Sequence, residues 1–397
     1  MTTTSPDSTA SPTVSSTVSS SSSSGRAAPV VALAAGIAIL VSSEFLPAGV
    51  LPTMARDLGI SEGTAGLAVA ATAIAGAATA PTIAMILPRM DRRTLLVGLL
   101  VAAAVANLAV AVAPGFLVLL LGRLVLGAAI AGYWSFAFAV GTYASPGRDH
   151  VISTSIALGV TGATIVGLPL GSLLADGPGW RWGFAAATAL SLASAAALAR
   201  ALPPVPAHPA AGLAMMRQAL RNPLLVAGVV VLVVVVLGNF LAYPFIRIAI
   251  AETSPGAGMW MLALWGVGGL FGNLAAGRFA HRLRTVVTVA PLLLAGGLVL
   301  TVLAESTPVM ALAMLVWGFG FNMVPVGTQL WVTRVEPERT ESALALQVTA
   351  FQVAITLGAA LGGAVLDEYG VGHVLLIGAI GAAVAAAGFG ALRVPRS

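Results

Sequence analysis

Two ionisable residues lie well inside long apolar stretches of this chain, an acid at Glu44 and a base at Arg123. A charge in the hydrocarbon core of a bilayer is costly, so such residues are functional candidates. Burial disfavours a carboxylate and a nearby cation favours it, so a site governed by both can change its protonation state. We predict that Glu44 exchanges a proton and that Arg123 sets its proton affinity. In the alternative interpretation, both residues only tie helices together.

Long apolar runs must position this acid and this base. The chain is 58% hydrophobic and 8% charged, and twelve runs are long enough to cross a hydrocarbon core about 30 Å thick. The predicted spans, numbered 1 to 12, are 29–50, 66–87, 94–113, 116–142, 151–175, 180–200, 223–247, 257–279, 284–304, 308–331, 340–365 and 372–392. Glu44 and Arg123 both lie about 10 Å below the outer membrane boundary at 1.5 Å per residue. They should share one layer, although depth does not determine which way each side chain faces.

The placement of the arginines predicts the topology. All 19 basic residues are arginine, and a cytoplasmic N-terminus puts fifteen of them at cytoplasmic ends and three, Arg56, Arg181 and Arg247, at outer ends. This is the positive-inside bias of membrane proteins. It predicts a multi-pass protein of the cell (inner or plasma) membrane with both termini in the cytoplasm. The basic balance therefore indicates topology and not a nucleic-acid partner.

Residue types that the sequence lacks exclude several kinds of site. A Walker A nucleotide site needs a lysine, and disulfides and thiolate metal sites need cysteine; the sequence contains neither residue. The four histidines fall in loops or at span ends, which argues against an intramembrane enzyme. We expect no metal, no nucleotide, and no cofactor beyond a proton as coupling ion.

Composition divides the chain into four parts. Residues 1–28 are Ser/Thr-rich without aromatic residues and are predicted to be a disordered cytoplasmic tail. A proline-rich cytoplasmic linker at 201–222 separates a six-helix bundle at 29–200 from a second bundle, with a short tail, at 223–397. The predicted fold class is an all-α integral membrane protein with twelve transmembrane helices in two pseudo-symmetric six-helix bundles.

The two bundles look like repeats of one another. Gly127 in span 4 matches Gly318 in span 10, and Glu44-Phe45-Leu46 in span 1 aligns with Asn239-Phe240-Leu241 in span 7. In transporters built from parallel repeats, the substrate site lies near the midplane between the halves. Asn239 replaces the acid and Met314 aligns with the buried arginine. The charge chemistry is therefore predicted to be confined to the N-terminal half.

Substrate contacts are expected from the few aromatic and polar side chains within the spans. Asn239 and Tyr243, four residues apart, share one helix face. Aromatic walls with a few polar groups suit a medium-sized organic ligand. The substrate-binding candidates are Tyr133, Trp134, Asn239, Tyr243, Trp265, Asn322, Gln329, Gln347 and Phe351. For each one, interhelical packing or hydrogen bonding is the alternative interpretation.

Several motifs resemble those of a known transporter family. The segment from Ser43 to Pro52 is similar to the first-helix signature of exporters in the twelve-span drug–proton antiporter branch of the major facilitator superfamily, close to sugar-efflux and arabinose-efflux-type permeases. The segment 121–127 resembles the fourth-helix motif, whose arginine that family links to proton transfer. The likeness covers residues 30 to about 392 and implies the major facilitator fold.

The loop after span 2 resembles a degenerate form of the family motif Gly-x-x-x-Asp-Arg-x-Gly-Arg, without its leading glycine. Its charged residues are Arg89, Asp91, Arg92 and Arg93. The arginines are expected either to latch the cytoplasmic ends of the halves in one state or only to orient the protein. An ion pair between Asp91 and one of these arginines is also expected.

Span 5 resembles the antiporter motif of the same branch, with its proline displaced. The motif residues are Gly159, Gly162, Gly167, Pro169 and Gly171. The last three glycines should let span 5 approach a neighbour closely, and Pro169 should bend it by removing a backbone donor. This arrangement would seal the membrane against proton leak or would serve close packing alone.

The residues and the resemblance together predict a secondary active transporter and not an enzyme. We expect it to export a small drug- or antibiotic-like molecule in exchange for protons by alternating access. A sugar or polar-metabolite efflux permease is the alternative, and a uniporter or a non-transporting sensor on the same scaffold is a second one. The expected partners are a small-molecule substrate and the lipid bilayer, with the protein a monomer.

Overall fold

The computed structural model describes residues 2, 23–206 and 219–392. Within these segments, twelve helices are long and apolar enough to cross a membrane, so the predicted fold class is confirmed. Residues 3–22 of the predicted tail and 207–218 of the predicted linker lie outside the described residues. The first helix begins at Ser23, six residues earlier than predicted.

The helices of spans 1 to 6 are Ser23–Leu58, Glu62–Ile86, Arg92–Ala111, Phe116–Ala144, Asp149–Gly162 continued by Leu168–Asp176, and Trp180–Ala201. Those of spans 7 to 12 are Pro223–Ala242 continued by Ile246–Thr253, Gly258–Arg278, Leu283–Val302, Thr307–Val335, Thr340–Tyr369 and Val371–Ala391. A π-helical turn, Ala163–Gly167, interrupts span 5, and a 3-10 turn, Tyr243–Phe245, interrupts span 7. Two further 3-10 turns, Ala280–Arg282 and Pro337–Arg339, precede spans 9 and 11.

Several helices are longer than the apolar runs that predicted them, because backbone hydrogen bonding continues where hydropathy falls. Span 7 was predicted to end at Arg247, but its helix continues to Thr253. Arg247 therefore lies within a helix, and the helix sets the direction of its side chain.

The two ends of the bundle differ in their arginine content. The end that we call arginine-poor carries the loops 59–61, 112–115, 177–179, 254–257, 303–306 and residue 370. The arginine-rich end carries the loops 87–91, 145–148, 202–206, 279–282 and 336–339.

The repeated glycines perform the same packing task in both halves. A Cβ added at Gly127 of span 4 would lie 2.0 Å from the carbonyl oxygen of Thr72 in span 2. A Cβ added at Gly318 of span 10 would lie 1.9 Å from the carbonyl oxygen of Trp265 in span 8. Only glycine permits such backbone contact, so the sequence repeat reflects one helix pair built twice.

The halves meet through equivalent helix pairs. Span 2 packs along span 11, and span 5 packs against span 8. Near the arginine-poor end, a Cβ at Gly63 would lie 2.2 Å from the carbonyl oxygen of Gly363, and a Cβ at Gly363 would lie 2.4 Å from that of Gly63. The backbones of spans 2 and 11 therefore touch there.

Candidate functional site

Arg123 is completely buried and bonds the backbone around Glu44. Its Nη1 donates to the carbonyl oxygen of Ser43 at 2.7 Å, and its Nη2 donates to that of Glu44 at 2.8 Å. Its Nε donates to the carbonyl oxygen of Ala68 in span 2 at 3.0 Å. In an α-helix the Ser43 carbonyl would accept from residue 47, but Pro47 has no N–H. Arg123 replaces the hydrogen bond that this proline removes and joins spans 1, 2 and 4.

The carboxylate of Glu44 is close to this cation and yet is not held by it. Among the described residues, none donates a hydrogen bond to the Glu44 side chain, which remains partly accessible. Arg123 acts on it by Coulomb attraction while its N–H groups bond backbone oxygens. The structure therefore brings the predicted acid and base together, and no hydrogen bond from the described residues holds the carboxylate.

A buried amide that sequence reasoning missed supports the same turn of span 1. Asn107 of span 3 donates from Nδ2 to the hydroxyl of Ser43 at 3.0 Å, and that hydroxyl donates to the carbonyl oxygen of Ile39 at 2.9 Å. Asn107 is the one strongly polar side chain in the interior of span 3, which is the signal that could have found it.

Next to Glu44, the halves meet in a group of six aromatic side chains that we call the central aromatic cluster: Phe45, Phe240, Tyr243, Trp265, Phe321 and Phe351. Phe45 comes from the N-terminal half, and its ring meets that of Tyr243 edge-on at 5.5 Å. The other five come from spans 7, 8, 10 and 11. Three predicted substrate contacts, Tyr243, Trp265 and Phe351, therefore lie in one group beside the acid.

Other predicted substrate contacts lie elsewhere. Tyr133 is buried and its hydroxyl donates to the carbonyl oxygen of Leu33 at 3.2 Å, so it ties span 4 to span 1. Trp134 is exposed and lies outside the cluster. Both had been placed by depth alone, which does not distinguish the faces of a helix.

Three polar candidates in the C-terminal half bond within that half or face outward. Gln347 donates to the hydroxyl of Thr328 at 2.9 Å, which joins spans 10 and 11. Asn322 donates to the carbonyl oxygen of Gly318 in its own helix at 3.0 Å. Gln329 is exposed. The structure thus does not bring these three side chains into the cluster.

Asn239 occupies the position that Glu44 holds in the other half. Its Oδ1 accepts from the indole of Trp317 in span 10 at 2.9 Å. Trp317 lies one helical turn after Met314, which aligns with Arg123. A neutral amide–indole bond therefore joins span 7 to span 10 where an arginine joins span 1 to span 4.

The glycines of span 5 pack on span 1, with one exception. Added Cβ atoms would lie 2.6 Å from the carbonyl oxygen of Ala34 at Gly159, 2.5 Å from the Ser42 hydroxyl at Gly167 and 2.3 Å from the Leu46 side chain at Gly171. At Gly162 nothing lies within 4 Å. The predicted close approach at Gly162 is wrong, because that position points away from the contact.

Pro169 follows a break in the helical pattern of span 5. It has no N–H to donate to the carbonyl of Ile165, and the chain forms the π turn Ala163–Gly167 just before it. A Cβ at Gly266 of span 8 would lie 2.8 Å from the carbonyl oxygen of Thr164. The irregular turn therefore packs on the other half, and π turns are frequent at functional sites.

The charged loop after span 2 bonds its own half. The Asp91 carboxylate caps span 3 by accepting from the Thr94 amide at 2.9 Å, and it accepts from the Val205 amide at 2.7 Å. Partial burial raises the pKa of Asp91, but these hydrogen bonds outweigh it, and the pKa lies below its ordinary value. Asp91 thus holds the chain leaving span 6 against the start of span 3.

The arginines of this loop differ in their surroundings. Arg92 donates to the carbonyl oxygen of Leu87 at 3.1 Å and lies over the Phe136 ring at 4.5 Å. Arg93 donates to the carbonyl oxygen of Ala199 at the end of span 6, and Arg89 is exposed. In this conformation these contacts lie within the N-terminal half, so the latch between halves stays a prediction for another state.

Two polar junctions bond the halves at the arginine-poor end. In the first, Arg247 of span 7 donates to the carbonyl oxygen of Gly49 at 2.6 Å and to the hydroxyl of Ser172 at 2.8 Å, and it pairs with Asp176. Sequence reasoning had assigned Arg247 to topology alone. This junction fastens span 7 to spans 1 and 5.

In the second junction, Asp367 at the end of span 11 accepts from the Ser61 hydroxyl at 2.6 Å and from the Gly63 amide at 2.9 Å. Asp176 and Asp367 end spans 5 and 11, which are repeats of each other. Each reaches across to the opposite half, so the arginine-poor end is closed.

Comparisons with known proteins agree with this architecture. A family model described as Major Facilitator Superfamily matches residues 32–335 and 228–397. The purine ribonucleoside efflux pump NepI of Salmonella paratyphi B is 33% identical over 86% of this chain and 87% of its own length. The same pump of Salmonella typhimurium is also 33% identical over the same shares.

Solved structures share the fold at low sequence identity. A bacterial homologue of the human lysosomal transporter Spinster, in an inward-facing and unoccupied conformation, superposes with a TM-score of 0.71 at 14% identity over 93% of this chain and 97% of that one. A D-xylose–proton symporter superposes with a TM-score of 0.73 at 15% identity over 93% and 98%. The family match and the curated relatives span most of the chain, and the chain therefore belongs to the major facilitator superfamily of membrane transporters.

Proposed function

We propose that this protein exports a purine ribonucleoside, or a closely related heteroaromatic metabolite, in exchange for protons by alternating access. The observation that carries the proposal is the placement of the central aromatic cluster. It lies between two halves that are fastened at one end, directly beside an acid whose carboxylate no described residue binds. The substrate class is supported by the purine ribonucleoside efflux pumps that are 33% identical to this chain.

The positive-inside bias supports an arginine-rich end in the cytoplasm of a bacterial-type plasma membrane. In that orientation the junctions at Arg247 and Asp367 close the protein toward the outside. Substrate would enter from the cytoplasm, and both junctions would have to break before it leaves. Export then depends on a free-energy source that opens the outer end against these contacts.

Proton exchange at Glu44 is the proposed energy source. Arg123 donates one hydrogen bond from each of its three nitrogens to a carbonyl oxygen, so its charge is fixed in place while the carboxylate beside it is not. A proton that reaches Glu44 from outside cancels the attraction between the two, and its release toward the cytoplasm restores it. Because Glu44 adjoins Phe45 in the cluster, the proton and the substrate would bind next to each other.

An amphipathic drug-like compound is the second candidate substrate. The six aromatic side chains of the cluster favour such a compound, because they offer few polar groups. A purine ribonucleoside combines a flat aromatic base with a sugar, so it also satisfies the polar-metabolite alternative. The two candidates differ in the hydrogen bonds that they need from the cluster.

Proteoliposomes test the proposal directly. With an imposed pH gradient, the wild-type protein should accumulate a radiolabelled purine ribonucleoside, and a protonophore should abolish the accumulation. The Glu44→Gln variant should lose gradient-driven accumulation and keep substrate exchange. Nucleoside accumulation by Glu44→Gln at the wild-type rate would contradict the proton role, and transport of dyes but of no nucleoside would favour the second candidate.

A further inference from the structure

The central aromatic cluster contains polar atoms that the folded chain leaves without partners. Tyr243 and Trp265 are each 1% exposed, and neither the Tyr243 hydroxyl nor the Trp265 Nε1 has a hydrogen-bond partner in the described part of the chain. The Nδ2 of Asn239, one turn before Tyr243, is also unpartnered there. Buried polar groups are nearly always bonded, and each exception calls for an explanation.

Two buried residues of the same types outside the cluster show that the chain can satisfy such groups. Tyr133 is as deeply buried as Tyr243, and its hydroxyl bonds Leu33. Trp317 is as deeply buried as Trp265, and its indole bonds Asn239. The unpartnered members of each pair are the two that belong to the cluster, and their ring centroids are 5.0 Å apart.

The unpartnered atoms define the chemistry of what would complete them. An indole N–H and an amide NH₂ can only donate, and a tyrosine hydroxyl can donate. Their complement is a molecule with hydrogen-bond acceptors. The surrounding rings, including Trp265 stacked on Phe321 at 27°, favour a flat aromatic partner. A purine base meets both requirements, because it is planar and carries acceptor nitrogens on its edge.

We propose that Tyr243 and Trp265 determine specificity by donating hydrogen bonds to acceptor atoms on the edge of a heteroaromatic base. The base reaches them when Phe45 separates from Tyr243, since that edge contact joins the two halves. This inference rests on the proposed function and names which part of the substrate is recognised. A sugar alone could accept hydrogen bonds from these donors, but it would offer no flat aromatic face to the surrounding rings.

Deaza-nucleosides test the inference, because each lacks one ring nitrogen and keeps the shape of the parent. Competition against transport of a radiolabelled purine ribonucleoside would be measured in proteoliposomes for the 1-deaza, 3-deaza and 7-deaza analogues. For the wild type, at least one analogue should compete about tenfold more weakly, as expected for one lost hydrogen bond. In Tyr243→Phe or Trp265→Phe that preference should fall to about twofold or less.

Two matched variants serve as controls. Trp331 is also 1% exposed with an unpartnered Nε1, but it packs on Phe389 away from the cluster, so Trp331→Phe should keep the wild-type preference. Tyr133→Phe removes a bonded hydroxyl, so it should lower thermal stability and keep the preference. Tyr243→Phe removes a hydroxyl without a partner and should not lower stability.

The outcomes separate the inference from the function on which it rests. If the wild type transports no purine ribonucleoside, the proposed function fails and the inference fails with it. If the wild type transports them but discriminates against no deaza analogue, or if both cluster variants keep the wild-type preference, the inference alone is overturned. Loss of the preference in Trp331→Phe as well would assign the effect to general repacking and would also overturn it.

Discussion

Arg247 fastens the two halves at the arginine-poor end, and its replacement by alanine should shift the protein toward a conformation open at that end. Its side chain is 12% exposed, and it donates to Gly49 and Ser172. Hydrogen bonds to charged groups contribute about 1.5–3 kcal/mol each. The pair with Asp176, whose side chain is 49% exposed, adds about 0–1 kcal/mol because solvent screens it.

These contributions sum to several kcal/mol before solvation is considered. Water rehydrates all of the groups when the end opens, so we take a net loss of about 2.0–2.8 kcal/mol for Arg247→Ala. Each 1.4 kcal/mol is a factor of ten in an equilibrium constant. The open fraction should therefore rise about 30- to 100-fold.

The cysteine-free sequence makes this shift measurable. Ala359 of span 11 is completely buried, and its carbonyl oxygen faces Gly66 across the boundary between halves. In detergent, Ala359→Cys should react slowly with a maleimide, and adding Arg247→Ala should speed the reaction by about 30- to 100-fold in line with the open fraction.

Arg181→Ala is the matched control. Arg181 lies at the same end and pairs with Asp57, but both residues belong to the N-terminal half. Labelling in that variant should stay within a factor of about two of the parent, since an ion pair within one half does not bias its separation from the other. An unchanged rate in Arg247→Ala, or an equal acceleration in Arg181→Ala, would refute the reasoning.

Two further predictions concern span 1 and span 5. Arg123→Ala should lower the apparent melting temperature, because it leaves buried carbonyls unpaired at about 1–3 kcal/mol each. Adding Pro47→Ala should recover part of the loss by giving the Ser43 carbonyl a helical donor. Thermal unfolding of the two variants would measure this, and no recovery would contradict the assigned role of Pro47. Gly159→Ala should destabilise the protein, because its Cβ would meet the Ala34 backbone at 2.6 Å, whereas Gly162→Ala should leave stability unchanged or raise it by up to about 1 kcal/mol through helix propensity. Equal melting temperatures for these two glycine variants would argue against the described packing of span 5 on span 1.

The layer that holds Glu44 and Arg123 could be predicted from the sequence, because helix rise converts residue spacing into depth. The direction of the guanidinium could not be predicted from depth. It depends on how span 4 is rotated against span 1, which packing decides. Pro47 was a usable signal, since a proline in a membrane helix frees a carbonyl that a neighbouring helix can bond.

The rotation of each helix about its own axis also explains why some predictions failed and why some predicted residues lie away from the site. Tyr133 and Trp134 are neighbours in sequence, and neither points into the cluster. Gly159 and Gly162 are three residues apart, which turns the second away from the contact made by the first. Arg247 was predicted to be the last residue of span 7 because hydropathy falls there, although the helix continues to Thr253. For the first two of these pairs the packing of the neighbouring helix determined the role, and for Arg247 the end of the helix was misplaced.

The central claim is that Glu44 carries the proton that is exchanged for substrate. The most direct measurement uses proteoliposomes with no imposed pH gradient, in which a purine ribonucleoside gradient is the only driving force and a pH-sensitive dye reports the lumen. The account predicts that wild-type protein moves protons opposite to the nucleoside, and that Glu44→Gln moves nucleoside without moving protons. Proton movement in Glu44→Gln equal to that of the wild type would contradict it.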